Sequence, residues 1–265
     1  MDGAQPQVLL REDEAGVATL TLNRPAQLNA LSEALLAALQ AELDRLMLDQ
    51  AARAVVIRAE GRAFCAGHDL REMERGRAAP DGGRAYFAEL FARCARMMTT
   101  IRRLPQPVIA EVHALATAAG CQLVASCDMA VAAEEARFGV NGVNIGLFCS
   151  TPMVALTRNV PAKAAFEMLT TGAFVEAERA ERLGLVNRVV PAERLRAETA
   201  ALARTVAGKL GSAVRVGKRA FHEQAEMGLD AAYAHTGRVM TENMLHRDTA
   251  EGIAAFLEKR EPEWR

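Results

Sequence analysis

The sequence predicts a layered α/β core followed by a helical C-terminal region. Short β-branched runs alternate with amphipathic helical patterns along the first part of the chain, and this order favours an α/β layered core. Beyond residue 197 the pattern is helical throughout. We therefore divide the chain into a core at 1–196 and a helical region at 197–265, which packs on the core or on a neighbouring subunit.

The first strand and the first helix have clear limits. Residues 17–22 (VATLTL) alternate apolar side chains with Thr and Ala, as a half-buried strand does, and Pro25 breaks the run. After Ser32, which we take as the N-cap, leucines at 35, 36, 39, 43 and 46 repeat at the spacing of one helical face. The sequence therefore predicts a helix that begins immediately after Ser32.

The remaining strands and helices follow in alternation. Short β-branched runs bounded by Gly, Pro or charged residues indicate strands, and longer periodic stretches indicate helices. We predict strands at 54–59, 107–112, 129–133 and 185–190, and helices at 84–104 and 118–126. After Pro161 the chain is mostly helical apart from the last of these strands.

The composition is that of a globular protein without a strong electrostatic field. With 265 residues, the chain is long enough for one large domain, or for one domain with a small appendage. Its 32 basic and 33 acidic side chains leave a net charge of −1, which gives no field to attract nucleic acid. Any anionic ligand must therefore be met by local basic residues.

The cysteines and the N-terminus predict a cytoplasmic protein. The five cysteines are odd in number, lie in apolar surroundings and lack the paired spacing of a zinc site, so we expect reduced thiols and no metal. Residues 1–10 are polar, and no apolar run approaches the ~20 residues that span a bilayer. We therefore expect neither a signal segment nor a contact with membrane.

Two short segments place small residues directly after predicted strands. They are residues 64–70 (FCAGHDL) and 113–123 (HALATAAGCQL). Small side chains let backbone N–H groups approach a ligand, and the second segment opens a helix whose positive dipole end favours a developing negative oxygen. The two segments together could form an oxyanion hole. Alternatively, Gly67 and Gly120 only permit tight turns and close helix packing.

Five segments that span most of the chain match a known family in order and spacing. They are LNRPAQLNALS (22–32), AFCAGHDL (63–70), PVIAEVHALATAAGCQLVASCDMAVA (107–132), TTGAFVEAERAERLGLVNRVV (170–190) and EGIAAFLEKR (251–260). From 22 to 260 the chain resembles the crotonase (enoyl-CoA hydratase/isomerase) superfamily. The resemblance implies a superhelix of repeated β-β-α turns and homotrimers or dimers of trimers, associated through the helical region. It also implies an acyl-CoA thioester of fatty acid metabolism as substrate or ligand.

The resemblance further implies which residues contact the ligand. The thioester oxygen would accept hydrogen bonds from the backbone N–H groups of His68 and Ala119. Coenzyme A contacts carry over to Arg24, Leu28, His68, Asp69, Leu70, Arg71, Ala119 and Lys259. Lys259 matches a family lysine that reaches nucleotide phosphate, sometimes across a subunit interface; alternatively, it is a solvated charge at a helix end. No separate cofactor is implied.

Two positions depart from the pattern of the family's hydratases. Those enzymes use two glutamates to position water and move a proton, whereas this sequence has Gln122 and Gly142. The Gln122 amide could still orient water, but it exchanges no proton near neutral pH. Because each positioned acid or base contributes ~10²- to 10⁴-fold, we expect slow hydration, and we expect glutamates introduced at 122 and 142 to raise it.

Three other side chains are candidates for the missing chemistry. The His68 imidazole could transfer protons near pH 7, or it could pack beside the pantetheine channel. By the resemblance, Ser150 occupies a position that is acidic in some family members. Cys149 or Ser150 could act as a nucleophile only with a base within reach, such as His68, His113 or Asp69; otherwise Cys149 is a small buried thiol.

The sequence leaves two classes of function open. The first is an enzyme of the hydratase or isomerase type, or one that catalyses another enolate-stabilised reaction of an acyl-CoA. The second is a noncatalytic protein that binds acyl-CoA in the same pocket. Both need the two backbone N–H groups, and they differ in whether any thioester is turned over.

Overall fold

The computed structural model describes residues 7–264, so positions 1–6, on which part of the signal-segment prediction rested, lie outside the described residues. The strands are β1 (Leu9–Glu14), β2 (Val17–Leu22), β3 (Ala54–Ala59), β4 (Ala63–Cys65), β5 (Val108–Val112), β6 (Leu115–Thr117), β7 (Met129–Ala133), β8 (Arg137–Gly139), β9 (Val175–Glu176) and β10 (Arg188–Val190). The helices are α1 (Glu33–Leu48), α2 (Leu70–Arg77), α3 (Arg84–Arg103), α4 (Ala119–Ser126), α5 (Ser150–Leu156), α6 (Ala162–Thr171), α7 (Ala177–Arg182), α8 (Ala192–Ala207), α9 (Gly211–Gln224), α10 (Leu229–Leu245) and α11 (Arg247–Glu258). Short 3-10 helices lie at Pro25–Gln27 and Asn141–Ile145.

Successive β-β-α units build the core. A six-stranded sheet has the order β1-β2-β3-β5-β7-β10, and its pairs from β2 onward are parallel. The second strands of the later units form most of a four-stranded sheet with the order β4-β6-β8-β9. The chain therefore moves from one sheet to the other within each unit. The predicted α/β fold with repeated β-β-α turns is confirmed.

The first helix shows how the leucine pattern builds the core. The Ser32 hydroxyl accepts a hydrogen bond from the Leu35 N–H at 3.2 Å, which caps the helix at the predicted residue. Leu35, Leu39 and Leu43 are fully buried in a large apolar core that also contains side chains of α3 and α4. Helical spacing thus brings these leucines to one buried face.

A second apolar cluster lies between the large sheet and α8. Leu195, Ala203 and Ala207 of this helix are buried there with Val56 and Val131 of the sheet. The predicted boundary between residues 196 and 197 falls inside α8, so this helix itself packs on the core. The assignment of residues 197–265 to subunit association stays a prediction.

Short strands account for most differences from the sequence prediction. Strands β4, β6 and β8 have three residues each, too few to show an alternating pattern. Strand β1 (LLREDE) is at the sheet edge, where charged side chains conceal it. The strand predicted at 185–190 is shorter because the Leu185 N–H donates to the Ala180 carbonyl at the end of α7.

The longer predicted elements agree closely with the structure. The helix predicted at 84–104 is α3, the one predicted at 118–126 is α4, and α9 to α11 confirm a helical tail. These elements carry enough residues for a periodic pattern to be recognised. Within residues 7–264, no helix combines the length and the apolar character that a membrane span needs.

Candidate functional site

The two predicted turns meet at the N-terminus of α4. Gly67 has a φ of 90°, and a Cβ placed on it would lie 2.9 Å from the Ala118 Cβ and 3.4 Å from the Ala119 nitrogen. A Cβ placed on Gly120 would lie 2.1 Å from the Cys65 carbonyl oxygen. Both glycines are therefore required by close contact between the turns. The same contact brings the backbone N–H groups of the two turns together.

Two backbone N–H groups at this point have no partner in the fold. On either side of His68 the backbone bonds to Leu31: the Gly67 carbonyl accepts from the Leu31 N–H at 2.7 Å, and the Asp69 N–H donates to the Leu31 carbonyl at 3.4 Å. The His68 N–H itself donates to no described acceptor. Ala119 begins α4, so its N–H lacks an intrahelical acceptor, and no other described residue supplies one. Both residues line the same cavity.

Ala118 holds an uncommon backbone conformation immediately before α4. Its φ of 50° and ψ of −120° lie in a region that glycine adopts readily and other residues rarely enter. Its N–H donates to the Gly139 carbonyl at 2.8 Å, and its carbonyl accepts from the Gln122 N–H at 3.0 Å. Bonds on both sides thus hold the strained residue in place.

The cavity beside these donors has a volume of about 290 Å³, near the lower end of the range for small-ligand sites. Its walls are mainly apolar side chains from α2, α3 and the segment before α5: Met73, Phe91, Ile145, Leu147, Phe148 and Pro152. One polar lining residue, Thr117, already donates its hydroxyl to the Asn141 Oδ1 at 2.6 Å. Such a cavity suits an apolar chain with a single oxygen that accepts hydrogen bonds.

The His68 ring packs against Phe91 beside the cavity. Its centroid lies 5.7 Å from that of Phe91 in an edge contact. Both ring nitrogens are buried without a hydrogen-bond partner among the described residues. Burial holds the pKa of His68 below its usual value, although the Leu31 backbone raises that pKa to a smaller extent. The ring is therefore neutral at pH 7. Proton transfer by His68 stays a prediction.

Gln122 and Gly142 occupy different environments. Gln122 lies one turn after Ala119, is buried and leaves its Oε1 without a partner in the described chain. Gly142 lines the cavity, and a Cβ placed on it would lie 2.3 Å from the Leu147 carbonyl oxygen and 2.9 Å from the Cys149 Sγ. The backbone of the segment at 146–149 therefore fills the space that a side chain at 142 would need.

The expectation that glutamates at both 122 and 142 would raise hydration holds only if the frame of the pocket stays intact, and this packing adds a stability cost at 142. We expect Gly142→Glu to lower the free energy of unfolding by about 3 kcal/mol or more, because the new Cβ collides with backbone. We expect no gain in crotonyl-CoA hydration, whereas Gln122→Glu changes no volume and should fold normally. Urea unfolding and a hydration assay of the two variants test this. Faster hydration by the Gly142→Glu variant at unchanged stability would contradict it.

The structure supplies no base for a nucleophile at 149 or 150. Burial raises the pKa of the Cys149 thiol, which opposes thiolate formation. The Ser150 hydroxyl donates to the Phe148 carbonyl at 3.4 Å. In the described part of the chain, no histidine or carboxylate bonds to either residue, and the His113 Nε2 contacts the Gly61 carbonyl at 2.8 Å instead. Cys149 therefore has the environment of a small buried thiol.

The predicted coenzyme A contacts fall into two groups. Leu70 lines the cavity, beside His68 and Ala119. Arg24 and Asp69 form an ion pair at 3.1 Å, and the Asp69 carboxylate also caps α2 by accepting from the Arg71 N–H at 3.1 Å. Burial would raise the pKa of Asp69, but the bonds from Arg24 and from α2 outweigh it and hold that pKa below its usual value.

The remaining predicted contact residues do not line the cavity. Leu28 has a φ of 52° and follows the 3-10 helix at Pro25–Gln27, and Arg71 is exposed on α2. Lys259 ends α11 in a left-handed conformation and is also exposed. Contacts of these residues with coenzyme A therefore stay predictions. Within the described ranges, no group of three His, Cys, Asp or Glu side chains is placed to hold a metal ion.

Several lining residues were not foreseen from the sequence. Phe91 reaches the cavity from the middle of α3, and Leu147 and Phe148 reach it from an irregular segment. Phe91 looks like any other apolar residue of an amphipathic helix, because helical periodicity shows which face is buried and not what that face contacts. Only the tertiary arrangement of α3 against α4 brings it to the site.

Comparisons with known proteins identify the family to which this chain is similar. The enoyl-CoA hydratase/isomerase family model matches residues 12–265. Enoyl-CoA hydratase domain-containing protein 3, mitochondrial, of Xenopus laevis is 46% identical over 253 residues, which cover 96% of this chain and 84% of that protein. The human protein of the same name is 45% identical over 249 residues, which cover 94% of this chain and 80% of that protein.

Solved structures give the same result. A crystal structure of an enoyl-CoA hydratase from Mycobacterium smegmatis superposes with a TM-score of 0.93 at 56% identity, covering 97% of this chain and 98% of that one. The human enoyl-CoA hydratase domain-containing protein 3 superposes with a TM-score of 0.92 at 44% identity, covering 97% of this chain and 100% of that one. The crotonase fold is therefore confirmed.

These relatives also correct one expectation and establish another. The prediction of a cytoplasmic protein is contradicted, because the similar proteins from frog, mouse and human are named mitochondrial. That prediction tested only for an apolar signal, and mitochondrial targeting segments are amphipathic and rich in arginine. By the family model and by relatives of this similarity, the chain belongs to the enoyl-CoA hydratase/isomerase family.

Proposed function

We propose that this protein binds an acyl-CoA thioester with the acyl group in the cavity between α4 and residues 141–150. The thioester oxygen accepts hydrogen bonds from the His68 and Ala119 N–H groups. The observation that carries the proposal is the pair of unengaged backbone donors on the wall of one apolar cavity. Such donors, fixed by the fold, stabilise the negative charge of an enolate more effectively than water does.

The reaction we propose is limited by proton transfer. The cavity contains neither glutamate of the family's hydratases, and burial lowers the pKa of the His68 ring. Hydration or isomerisation of an enoyl-CoA should therefore be slow even when the thioester is well bound. The second candidate is a noncatalytic acyl-CoA-binding protein, and the fully neutral cavity wall favours it.

We further propose that the protein forms homotrimers or dimers of trimers through its C-terminal helices. Several large apolar side chains of α10 and α11 are well exposed in the single chain: Tyr233, Met240, Leu245, Phe256 and Leu257. Large exposed apolar side chains in this number on two neighbouring helices indicate an interface. A second copy of the chain would cover it, and sedimentation measurements of the full-length protein test that expectation.

Replacement of Ala119 by proline tests the backbone donor directly. Proline removes the N–H, and it is tolerated at the first position of a helix, where that group has no intrahelical acceptor. We expect Ala119→Pro to weaken acyl-CoA binding roughly 10- to 100-fold, because a hydrogen bond to a charged or polarised oxygen is lost. Ala119→Gly keeps the donor and should bind within about threefold of the original protein.

A panel of saturated and enoyl-CoA thioesters, measured by calorimetry and by product analysis, separates the two candidates. Binding with product from at least one thioester supports the enzyme, and binding without product from any supports the noncatalytic protein. If no coenzyme A ester binds, both candidates are wrong. If the proline and glycine variants bind equally well, the Ala119 N–H is not the donor.

A further inference from the structure

A second and larger cavity lies outside the acyl site, between the ends of α1 and α3 and the side of α9. Its volume is about 790 Å³, and it shares no lining residue with the cavity beside α4. Four arginines and one histidine contribute to its walls: Arg102, Arg103, Arg215, Arg219 and His222. The chain as a whole is almost neutral. Basic side chains are therefore concentrated here.

The two acidic residues of this cavity are already paired. Glu226 lies 3.7 Å from the Arg102 guanidinium and 3.6 Å from that of Arg158. Glu223 lies 3.0 Å from the His235 Nε2. Glu226 is therefore shared by two arginines, of which only Arg102 lines the cavity, and the neighbour of Glu223 is a histidine, which is charged only when protonated.

Three of the arginines have no carboxylate partner in the described chain. Arg215 contacts only the side chain and the carbonyl of Gln50, both neutral. For Arg103 and Arg219, residues 7–264 provide no ion pair and no side-chain hydrogen bond. Four arginines exceed the two glutamates of the wall, and a concave surface with an excess of one sign of charge attracts counter-ions. The cavity thus carries a positive excess that a bound anion would neutralise.

A partly buried network fixes the fourth arginine, Arg102. The Asp128 carboxylate accepts from the Lys218 Nζ at 2.6 Å and from the His222 Nε2 at 2.8 Å. Because the His222 Nε2 faces a carboxylate, that nitrogen donates, and Nδ1 is left to accept from the Arg102 Nη2 at 3.3 Å. Arg102 is therefore held at the cavity wall by contacts that end on a half-buried carboxylate, as a preorganised binding group is.

We propose that this cavity binds a phosphorylated ligand of nucleotide size, such as a nucleoside diphosphate. Guanidinium groups match the oxygens of phosphate with two parallel hydrogen bonds, which favours phosphate over other anions. The volume lies within the range of nucleotide-sized sites and exceeds what a single inorganic phosphate needs. Apolar walls at Met47, Leu104 and Val216 can contact the part of the ligand that carries no charge.

Calorimetry of the full-length protein with ADP and with inorganic pyrophosphate tests the proposal. We expect saturable binding of one ADP per chain, with an affinity that falls as salt rises. Arg103→Gln/Arg219→Gln should weaken binding about tenfold or more, because two charged donors are lost. The matched control Arg62→Gln/Lys163→Gln removes the same charge from exposed positions outside the cavity and should bind within about twofold.

The ADP titration is repeated with saturating acyl-CoA, and ADP should still bind. Displacement by acyl-CoA would place ADP in the acyl-CoA site and overturn the proposal. Equal losses in the two double variants, or no saturable binding, would also overturn it. A change of oligomeric state in the Arg103→Gln/Arg219→Gln variant would mean that a second copy of the chain fills the cavity. Arg103→Lys/Arg219→Lys keeps the charge and replaces the glutamine variant in the test if that variant folds poorly. We expect its affinity for ADP to lie between that of the original protein and complete loss.

Discussion

Replacing Lys218 with alanine is expected to lower the free energy of unfolding by about 3–5 kcal/mol. The Lys218 side chain is only 6% exposed, and its Nζ donates to the Ile101 carbonyl at 3.0 Å, the Gln106 carbonyl at 2.9 Å and the Asp128 carboxylate at 2.6 Å. Alanine leaves that half-buried carboxylate with only the Val108 N–H and His222 as donors and leaves two carbonyls without their donor. The bonds also attach α9 to the core, so the helical tail should loosen first.

Urea unfolding of the Lys218→Ala variant measures this loss. Lys209→Ala is the matched control, because Lys209 is exposed at the end of α8 and should change stability by less than about 0.5 kcal/mol. The Asp128→Ala/Lys218→Ala double variant should lose less than the sum of the single losses, by about 1 kcal/mol or more. A loss below about 1 kcal/mol for Lys218→Ala would show that water or other groups replace its bonds.

Replacing Gly120 with alanine is expected to cost about 3 kcal/mol or more, which is the upper range for overpacking. The added Cβ would lie 2.1 Å from the Cys65 carbonyl oxygen and 2.8 Å from the Cys65 Cβ, so either α4 or β4 must move. Such a movement also shifts Ala119 away from the turn that contains His68. We therefore expect acyl-CoA binding to weaken together with stability.

Gly217 provides an internal control for the same substitution. It lies within α9, and a Cβ placed on it would meet nothing within 4 Å. Gly217→Ala should therefore raise the free energy of unfolding by about 0.5–1 kcal/mol through helix propensity alone. Opposite signs for the two glycine substitutions in urea unfolding are the expected result. A neutral Gly120→Ala variant would mean that the contact between α4 and β4 adapts easily.

The parts of the fold that could be predicted are those with a local cause. The leucines after Ser32 specify a helix, its cap and its buried face within a single stretch of sequence. The four-stranded sheet was missed because its strands are too short for a pattern, and they exist only through pairing with distant segments. The spacing of residues in the sequence does not show which of these strands pair.

The features of the site also divide into those with a local cause in the sequence and those that arise only in the folded chain. The turns around His68 and Ala119 were identified because small residues in a row after a strand have a local meaning. The Leu147 carbonyl beside Gly142, the burial of the His68 nitrogens and the pairing of Arg24 with Asp69 all depend on segments that meet only in the folded chain. The sequence therefore predicted which turns meet at the cavity better than it predicted the environment of each side chain there.

The position of the Leu147 carbonyl also restricts how this lineage can change. Any residue other than glycine at 142 collides with that oxygen, so a mutant that acquires a carboxylate there in one step is destabilised at once. The segment at 146–149 would have to move first, and that movement brings no benefit until the carboxylate arrives. A site with two carboxylates in this fold thus requires coordinated changes, and selection on single mutations acts against it.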